Sequence, residues 1–416
     1  MAHLPSILIW VIALLSILGM LVRPLGIAEA WWACCGALLL VIAGLLPMRQ
    51  AGHAIHEGVD VYLFLAGMMI LAELARDEGV FDWIANIAAA HAQGSPQQLF
   101  ALVYLAGVIV TALLSNDATA VVLTPAVLAV VRRAQANAKP YLLACALIAN
   151  AASFVFPISN PANLVVFGGA MPSLIEWLRI FALPSIVSIA VTFICLRWFS
   201  RDELRGAIEN DVSEFKLTTQ GKLALAGLLI SATMLIIASA LGWSLGAPTC
   251  IAAVFALMVV SWRNRSVPLK IAKGVSWSVL PLVAGLFVIV EALRNAGMLR
   301  LALTGSQWLA QTAALLAKFT AAFAVALLSN GMNNLPVGLV GGMALRNSAD
   351  TGVIAHAILL GVDLGPNLSV TGSLATILWL IALRRENVEI TAWEFFKVGI
   401  IAMPLALAAS LLALSR

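Results

Sequence analysis

Two carboxylates stand in runs that are otherwise apolar or neutral. Asp117 lies in Ser115-Asn116-Asp117-Ala118-Thr119, and Asp363 lies in the run from Gly361 to Asn367. In hydrocarbon a carboxylate is costly unless it is paired, protonated or ion-bound, so each is a candidate to load and release a proton. Asp117 could instead satisfy the backbone N–H groups of the turn it occupies, and Asp363 could cap or brace a helix break. Around them stand side chains that both donate and accept hydrogen bonds. Ser115, Asn116 and Thr119 flank Asp117, while Ser329, Asn330, Asn333 and Asn334 form a second group. Asn150, Asn160 and Asn163 form a third, and Asn367, Thr371 and Ser373 a fourth. No lysine or arginine falls in any of the four, which suits a small uncharged solute or a cation better than a bulky anion. Some of these amides must also satisfy broken backbone. Glu73 with Arg76, and Glu291 with Arg294, have the i,i+3 spacing of an ion pair on one helix face, which fits bracing better than transport.

Other chemistries find no support. His3, His53, His56, His91 and His356 make no catalytic or metal-ligand set, and Cys34, Cys35, Cys145, Cys195 and Cys250 include no CxxC. No phosphate-cradling GxxxxGK[ST] occurs, so the chain does not hydrolyse ATP by that route, and no cofactor is expected. The net charge of +4 comes from residues mostly in connecting segments, which gives no reason to expect nucleic acid.

The elements that must position these residues are membrane helices. Of 416 residues 62% are hydrophobic and 11% charged, with a mean hydropathy of +1.01; soluble domains carry about 25% charge. Apolar runs long enough to cross a hydrocarbon layer of about 30 Å recur from end to end. The first, Leu4 to Val22, reads as a transmembrane helix rather than a cleaved signal peptide. Spans are predicted at 5–22, 30–48, 59–75, 141–156, 174–198, 222–242, 247–262, 277–293, 371–383 and 392–414. Two further apolar stretches are broken by LLSNDAT at 113–119 and by LLSNGMNNLP at 327–336. A polar break in lipid leaves backbone groups unpaired unless it is buried in protein or lines a cavity. Each stretch is therefore predicted as a re-entrant helical hairpin turning at its Ser-Asn tip, near 98–134 and near 304–346. The segments 149–169 and 361–375, marked by Pro157, Pro161, Gly365 and Pro366, read as discontinuous helices.

These features recur in order. Glu73-Leu-Ala-Arg76 matches Glu291-Ala-Leu-Arg294 at an offset of 218, Leu113-Leu-Ser-Asn116 matches Leu327-Leu-Ser-Asn330 at 214, and Ser159-Asn160 faces Thr371-Gly372 at 212. The expected architecture is an all-α polytopic protein of two repeats, 1–199 and 220–416, joined by a charged loop at 200–219. Each repeat has about five crossings, ten in all, so the second is inverted relative to the first. An outside amino terminus puts most basic residues, including Arg23, Arg132, Arg133, Lys139, Arg384 and Arg385, on the cytoplasmic side. Paired interrupted segments in inverted halves point to a secondary transporter with its site near the bilayer midplane.

The runs LLSNDATAVVLTP (113–125), FPISNPANLVVFG (156–168), LLSNGMNNLPVGL (327–339) and GVDLGPNLSVTGSLATILW (361–379) together resemble the ArsB-type arsenite and antimonite efflux permeases of the ion transporter superfamily. The resemblance implies arsenical resistance through export of arsenite and antimonite, as the neutral hydroxides As(OH)3 and Sb(OH)3, in exchange for protons across a prokaryotic inner membrane. Such permeases sit in membrane lipid and work alone or with an ArsA-type ATPase subunit. Carried onto this chain, their substrate region falls on Asn116, Asp117, Asn150, Asn160, Asn163, Asn330, Asn334, Asp363 and Asn367. The cysteines are expected to be dispensable, because tight thiolate capture would slow release. A sodium/proton or other cation antiporter of the same superfamily, and a pore driven by an ATPase partner, remain the alternatives.

Overall fold

A computed structural model describes residues 3–168, 171–209, 215–262, 265–298, 304, 312–346 and 352–414, and every regular element among them is helical. The first half runs α1 (His3–Val22), α2 (Glu29–Ile42), α3 (Met48–Glu57), α4 (Val59–Asp77), α5 (Val80–His91), α6 (Pro96–Leu113), α7 (Thr124–Arg133), α8 (Ala138–Ala151), α9 (Pro161–Phe167) and α10 (Leu174–Phe199). The second runs α11 (Thr219–Ala240), α12 (Gly246–Ser261), α13 (Val267–Gly274), α14 (Val279–Leu293), α15 (Ala314–Met332), α16 (Asn334–Arg346), α17 (Gly352–Leu364), α18 (Leu374–Arg385) and α19 (Ala392–Ala413). Helix starts recur 216 to 220 residues apart from α1 and α11 through α4 and α14, then 213 to 214 apart for α8 and α17 and for α9 and α18.

Local sequence sets these boundaries. Ser95 caps α6 by accepting from Gln98 N, with Pro96 at the first helical position, where its missing N–H costs nothing. Ser173 with Glu176 and Thr391 with Glu394 form capping boxes at the starts of α10 and α19. Outside the hairpins, α1, α10, α11, α14 continued to Met298, and α19 are long and apolar enough to cross a membrane unbroken. Helix α4 joins the short α3 through a 47° bend, and α2 and α12 are shorter crossings of 14 and 16 residues. The two interrupted helices, α8 with α9 and α17 with α18, complete the ten. Ile42, Ile194, Ile251 and Trp262 expose 62% or more of their surface on the outer faces of these helices, as lipid contact requires. The predicted start of the second hairpin, near residue 304, lies largely outside the described residues.

Packing divides the helices into two groups. In one, α4 lies against α12, α14 against α2, and α1 and α11 flank them. Gly67 and Gly285 make these contacts: a Cβ would come within 2.8 Å of the Thr249 and Ala33 backbones respectively. In the other group α6 packs on α8, α15 on α17, α9 on α16 and α10 on α19. The loop after α10 straps the base of the first hairpin, where Ile208 N donates to Gly94 O and Glu209 N to Ala134 O, both at 3.0 Å. Arg132 pairs with Glu386 at 3.3 Å and Lys139 with Glu394 at 2.7 Å, so the hairpin base, α8 and the end of α18 meet on one side.

Candidate functional site

Helix α6 ends at Leu113, and the chain turns through Leu114 and Ser115 into a short helical turn, Asn116–Ala118. A π-helical turn, Thr119–Leu123, follows. Pro125 accounts for it, since its ring displaces the carbonyl four residues back and forces the wider turn. The Thr124 hydroxyl answers part of the disturbance by donating to Thr119 O at 3.2 Å. Thr119 is not free to meet a solute: its hydroxyl pairs with that of Thr111 at 2.8 Å, tying the two legs together. Ser159 Oγ donates to Ala112 O at 3.0 Å, which fixes the hairpin tip at the level where the first interrupted helix breaks. Beyond that break α9 still adds seven residues, about 10 Å. The first hairpin is therefore re-entrant.

The second hairpin corrects the sequence reading. Ser329 and Asn330 lie inside α15, and the turn comes one helical turn later, at Asn333 (φ 72°, ψ 151°). Ser329 spends its hydroxyl on Val325 O within its own helix. Asn330 joins the hairpin to the second break, with Nδ2 donating to Gly365 O at 2.9 Å and Oδ1 accepting from Ser369 Oγ at 2.6 Å. Thr371 Oγ1 donates to Asn330 O at 2.9 Å, the counterpart of Ser159 on Ala112. Replacing Ser159 by Ala, or Thr371 by Val, should each cost about 1–2 kcal/mol, read as a lower unfolding temperature in detergent; an unchanged temperature in both would show that these bonds do not hold the tips.

Four helix amino ends gather around the two breaks, and each is capped by a side chain of its own. Ser115 accepts from Ala118 N at 3.2 Å, Asn333 from Leu335 N at 3.3 Å, Asn160 from Ala162 N at 3.0 Å and Ser373 from Ala375 N at 3.1 Å. Asn116 and Asn334 are buried at the first helical positions after the tips. Asp117 is half-buried, and among the described residues its carboxylate makes no hydrogen bond or ion pair. Asp363 is fully buried near the end of α17, accepting from Asn160 Nδ2 at 2.7 Å. Asn150 donates to Asn367 Oδ1 at 3.0 Å, and Asn163 Nδ2 serves the Ser153, Phe156 and Pro157 carbonyls. Glu73 pairs with Arg76, and Glu291 with Arg294 at 3.3 Å, away from this centre.

Sequence reasoning missed two contributors. Ser153 donates to Asn150 O at 2.7 Å and accepts from Asn163 Nδ2 at its own carbonyl at 2.9 Å, and its position three residues after Asn150 within the break was the available signal. Glu29, paired with Arg23, lines a narrow cavity of about 20 Å³ between the second hairpin tip, at Asn333 and Pro336, and the ends of α1 and α14. That volume suits a water-sized molecule, so a larger solute needs the two helix groups to part. Among the described residues no group of three His, Cys, Asp or Glu side chains gathers to hold a metal ion. Cys145 is buried on α8.

A family model described as "Citrate transporter" matches residues 7–362. The arsenical pump membrane protein of Escherichia coli is 29% identical over 409 residues, covering 94% of each chain. That of Yersinia enterocolitica is 28% identical over 393 residues, covering 91% of each. The crystal structure of the Alcanivorax borkumensis YdaH transporter, said to have an unusual topology, superposes with a TM-score of 0.60 at 14% identity, covering 99% of this chain and 97% of that one. At that identity the likeness establishes the fold. The chain therefore belongs to the citrate-transporter family, as one of its ArsB-type permeases.

Proposed function

We propose that this protein exports trivalent arsenic and antimony as their neutral hydroxides, in exchange for protons, across a bacterial inner membrane. The observation that carries the reading is the set of four self-capped helix ends. Helix amino termini ordinarily attract anions through their free N–H groups. Here Ser115, Asn160, Asn333 and Ser373 each already accept from one of those donors, and no lysine or arginine falls in the four polar segments. What remains at the tips is the Asn116 and Asn334 amides beside the Asp117 carboxylate, suited to a solute that both donates and accepts, as a metalloid hydroxide does. The arsenical pumps among the relatives support the choice of solute.

Asp117 and Asp363 are the carboxylates available for proton exchange in this reading. With Asp117 deprotonated, the hydroxide binds among the hairpin tips and interrupted helices. The group carrying both hairpins then moves against the α1, α2, α4, α11, α12 and α14 group, releases the solute outside and returns with a proton. An ArsA-type ATPase is not required by this cycle.

Proteoliposomes with an imposed proton gradient test it. Gradient-driven arsenite movement in the wild type, reduced at least about a hundredfold in Asp117→Asn, is the expected result. Sodium-driven proton flux without arsenite movement would replace it with a cation antiporter. Arsenite leakage indifferent to the gradient would mark a pore awaiting an ATPase.

A further inference from the structure

The two hairpin tips are not chemically equivalent. Asp117 follows Asn116 at the first, whereas the corresponding position of the second, 214 residues on, is Gly331. The second tip instead meets a carboxylate from the other helix group. The narrow cavity beside Asn333 is walled by apolar side chains, among them Leu21 of α1, Leu282 and Leu286 of α14 and Ile377 of α18, and Glu29 is the one ionisable group lining it among the described residues. The inverted half carries no such group at the matching place. Glu29 is the first residue of α2; the first residue of α12 is Gly246, which follows the uncharged turn Leu241-Gly242-Trp243-Ser244-Leu245. Asp60, which reaches that helix start from α4, accepts from Gly246 N at 2.8 Å.

Glu29 does not stand alone. Arg23 pairs with it across the turn between α1 and α2, and both side chains are largely withdrawn from solvent, Arg23 22% exposed and Glu29 17%. The Arg23 backbone is left-handed (φ 47°, ψ 54°), a conformation that a residue with a β-carbon keeps only where its surroundings hold it. A carboxylate bonded to a guanidinium is neutral as a unit, yet it still offers one accepting edge and one donating edge. In a passage that is otherwise apolar, such a unit favours a neutral solute that carries hydroxyls over an ion of either sign.

The place of the pair on the pathway gives it a role. With α1, α2 and α4 each crossing once, the α1–α2 turn lies on the side where α4 ends and the first hairpin begins, which the basic residues mark as cytoplasmic. The second hairpin tip closes against that turn from within, and a cavity of about 20 Å³ admits no metalloid hydroxide while the tip is seated. Both members of the pair belong to the group of α1, α2, α4, α11, α12 and α14. The pair therefore stays intact when the hairpin group moves, and withdrawal of Asn333 and Pro336 turns the cavity wall into the lining of an open passage.

We propose that Glu29, held by Arg23, is the residue that receives the neutral hydroxide on the cytoplasmic side. Its carboxylate accepts from one hydroxyl of the incoming solute while an Arg23 N–H donates to another, and the solute then passes to the Asn334 amide at the tip. The role rests on the export reading above and adds to it a recognition group on the helices that do not carry the hairpins.

The test is the initial rate of gradient-driven arsenite movement in proteoliposomes of the full-length protein, over a range of arsenite concentrations, with the unfolding temperature of each variant taken in detergent. Glu29→Gln keeps the shape and loses the charge-assisted bond. Its half-saturating arsenite concentration should rise roughly tenfold while the maximal rate stays within about twofold of the wild type. Glu29→Asp keeps the charge but draws it back by one methylene, so a rise of roughly threefold is expected, and this variant decides the matter if Glu29→Gln does not fold. A residue that only braces the α1–α2 turn would lower the unfolding temperature or the maximal rate and leave half-saturation where it was. That result, in whichever variant folds, overturns the role of Glu29 and leaves the export reading standing. A wild type that moves no arsenite retires both.

Discussion

Replacing Asn330 with alanine should cut arsenite flux by at least about tenfold while most of the protein still folds. Asn330 lies in the last turn of the inward leg of the second hairpin, and its amide is bonded on both faces. Nδ2 reaches Ala326 O at 2.7 Å and Gly365 O at 2.9 Å, while Oδ1 accepts from Ser369 at 2.6 Å. Truncation removes both bonds and leaves Gly365 O held, among the described residues, only by Leu368 N and Ser369 Oγ only by Thr371 Oγ1, each at 3.0 Å, at about 0.5–1.5 kcal/mol for each bond lost. The backbone bond from Thr371 survives, so the hairpin should loosen rather than unfold. The first half manages the same position with Ala112, helped only by Ser159. Flux in proteoliposomes, normalised to folded protein, checks this. A variant that transports at the wild-type rate would show that tip placement is set elsewhere.

The largest loss of stability is expected where the second interrupted helix meets that hairpin. A Cβ on Gly365 would lie 2.6 Å from Ala326 Cα and 2.7 Å from its carbonyl oxygen, and one on Gly361 would press on the Ala322 backbone. No side chain is there to swing aside, so α15 and α17 would have to separate. Overpacking of this kind costs about 1–3 kcal/mol and more where backbone must shift, a large share of the roughly 5–15 kcal/mol that holds a typical fold. Gly365→Ala and Gly361→Ala should therefore lower the unfolding temperature sharply and reduce the yield of monodisperse protein. Gly331→Ala, in α15 itself, meets nothing within 4 Å and should be neutral or slightly stabilising. Equal behaviour of the three would mean that the helices are less closely apposed than described.

Much of this arrangement is legible in the residues. The cost of a polar break in lipid points to both hairpins and both interrupted helices before any coordinates are seen. The tip of the second hairpin is not legible, for a definable reason. Helix starts repeat near 218 residues apart up to the hairpins, near 213 at the interrupted helices and 218 apart again at α10 and α19, so the second half is about a turn shorter between its hairpin and its interrupted helix. The shared Leu-Leu-Ser-Asn string invites the gap to be placed before it, although the helices place it after. Nor does Gly331-Met332-Asn333-Asn334 announce which residue takes the positive φ; a glycine would be the usual choice, and Asn333 takes it instead. The short helices α3 and α13 escaped because each has too few apolar residues to register as a span. Ser153 escaped because attention to amides passes over a lone hydroxyl among alanines and phenylalanines.

The cross-braces between the interrupted helices also govern how the protein is made. Asn150 and Asn160 find their partners 217 and 203 residues further along the chain. At translation rates of about 5–20 residues per second, those partners arrive some 10–40 s after the asparagines themselves. Throughout that interval the first interrupted helix is without these two bonds, and the packing of the amino-terminal half alone has to hold its break. A chain that ends short of residue 363 lacks both partners, so its first interrupted helix is without the two bonds that tie it to the second.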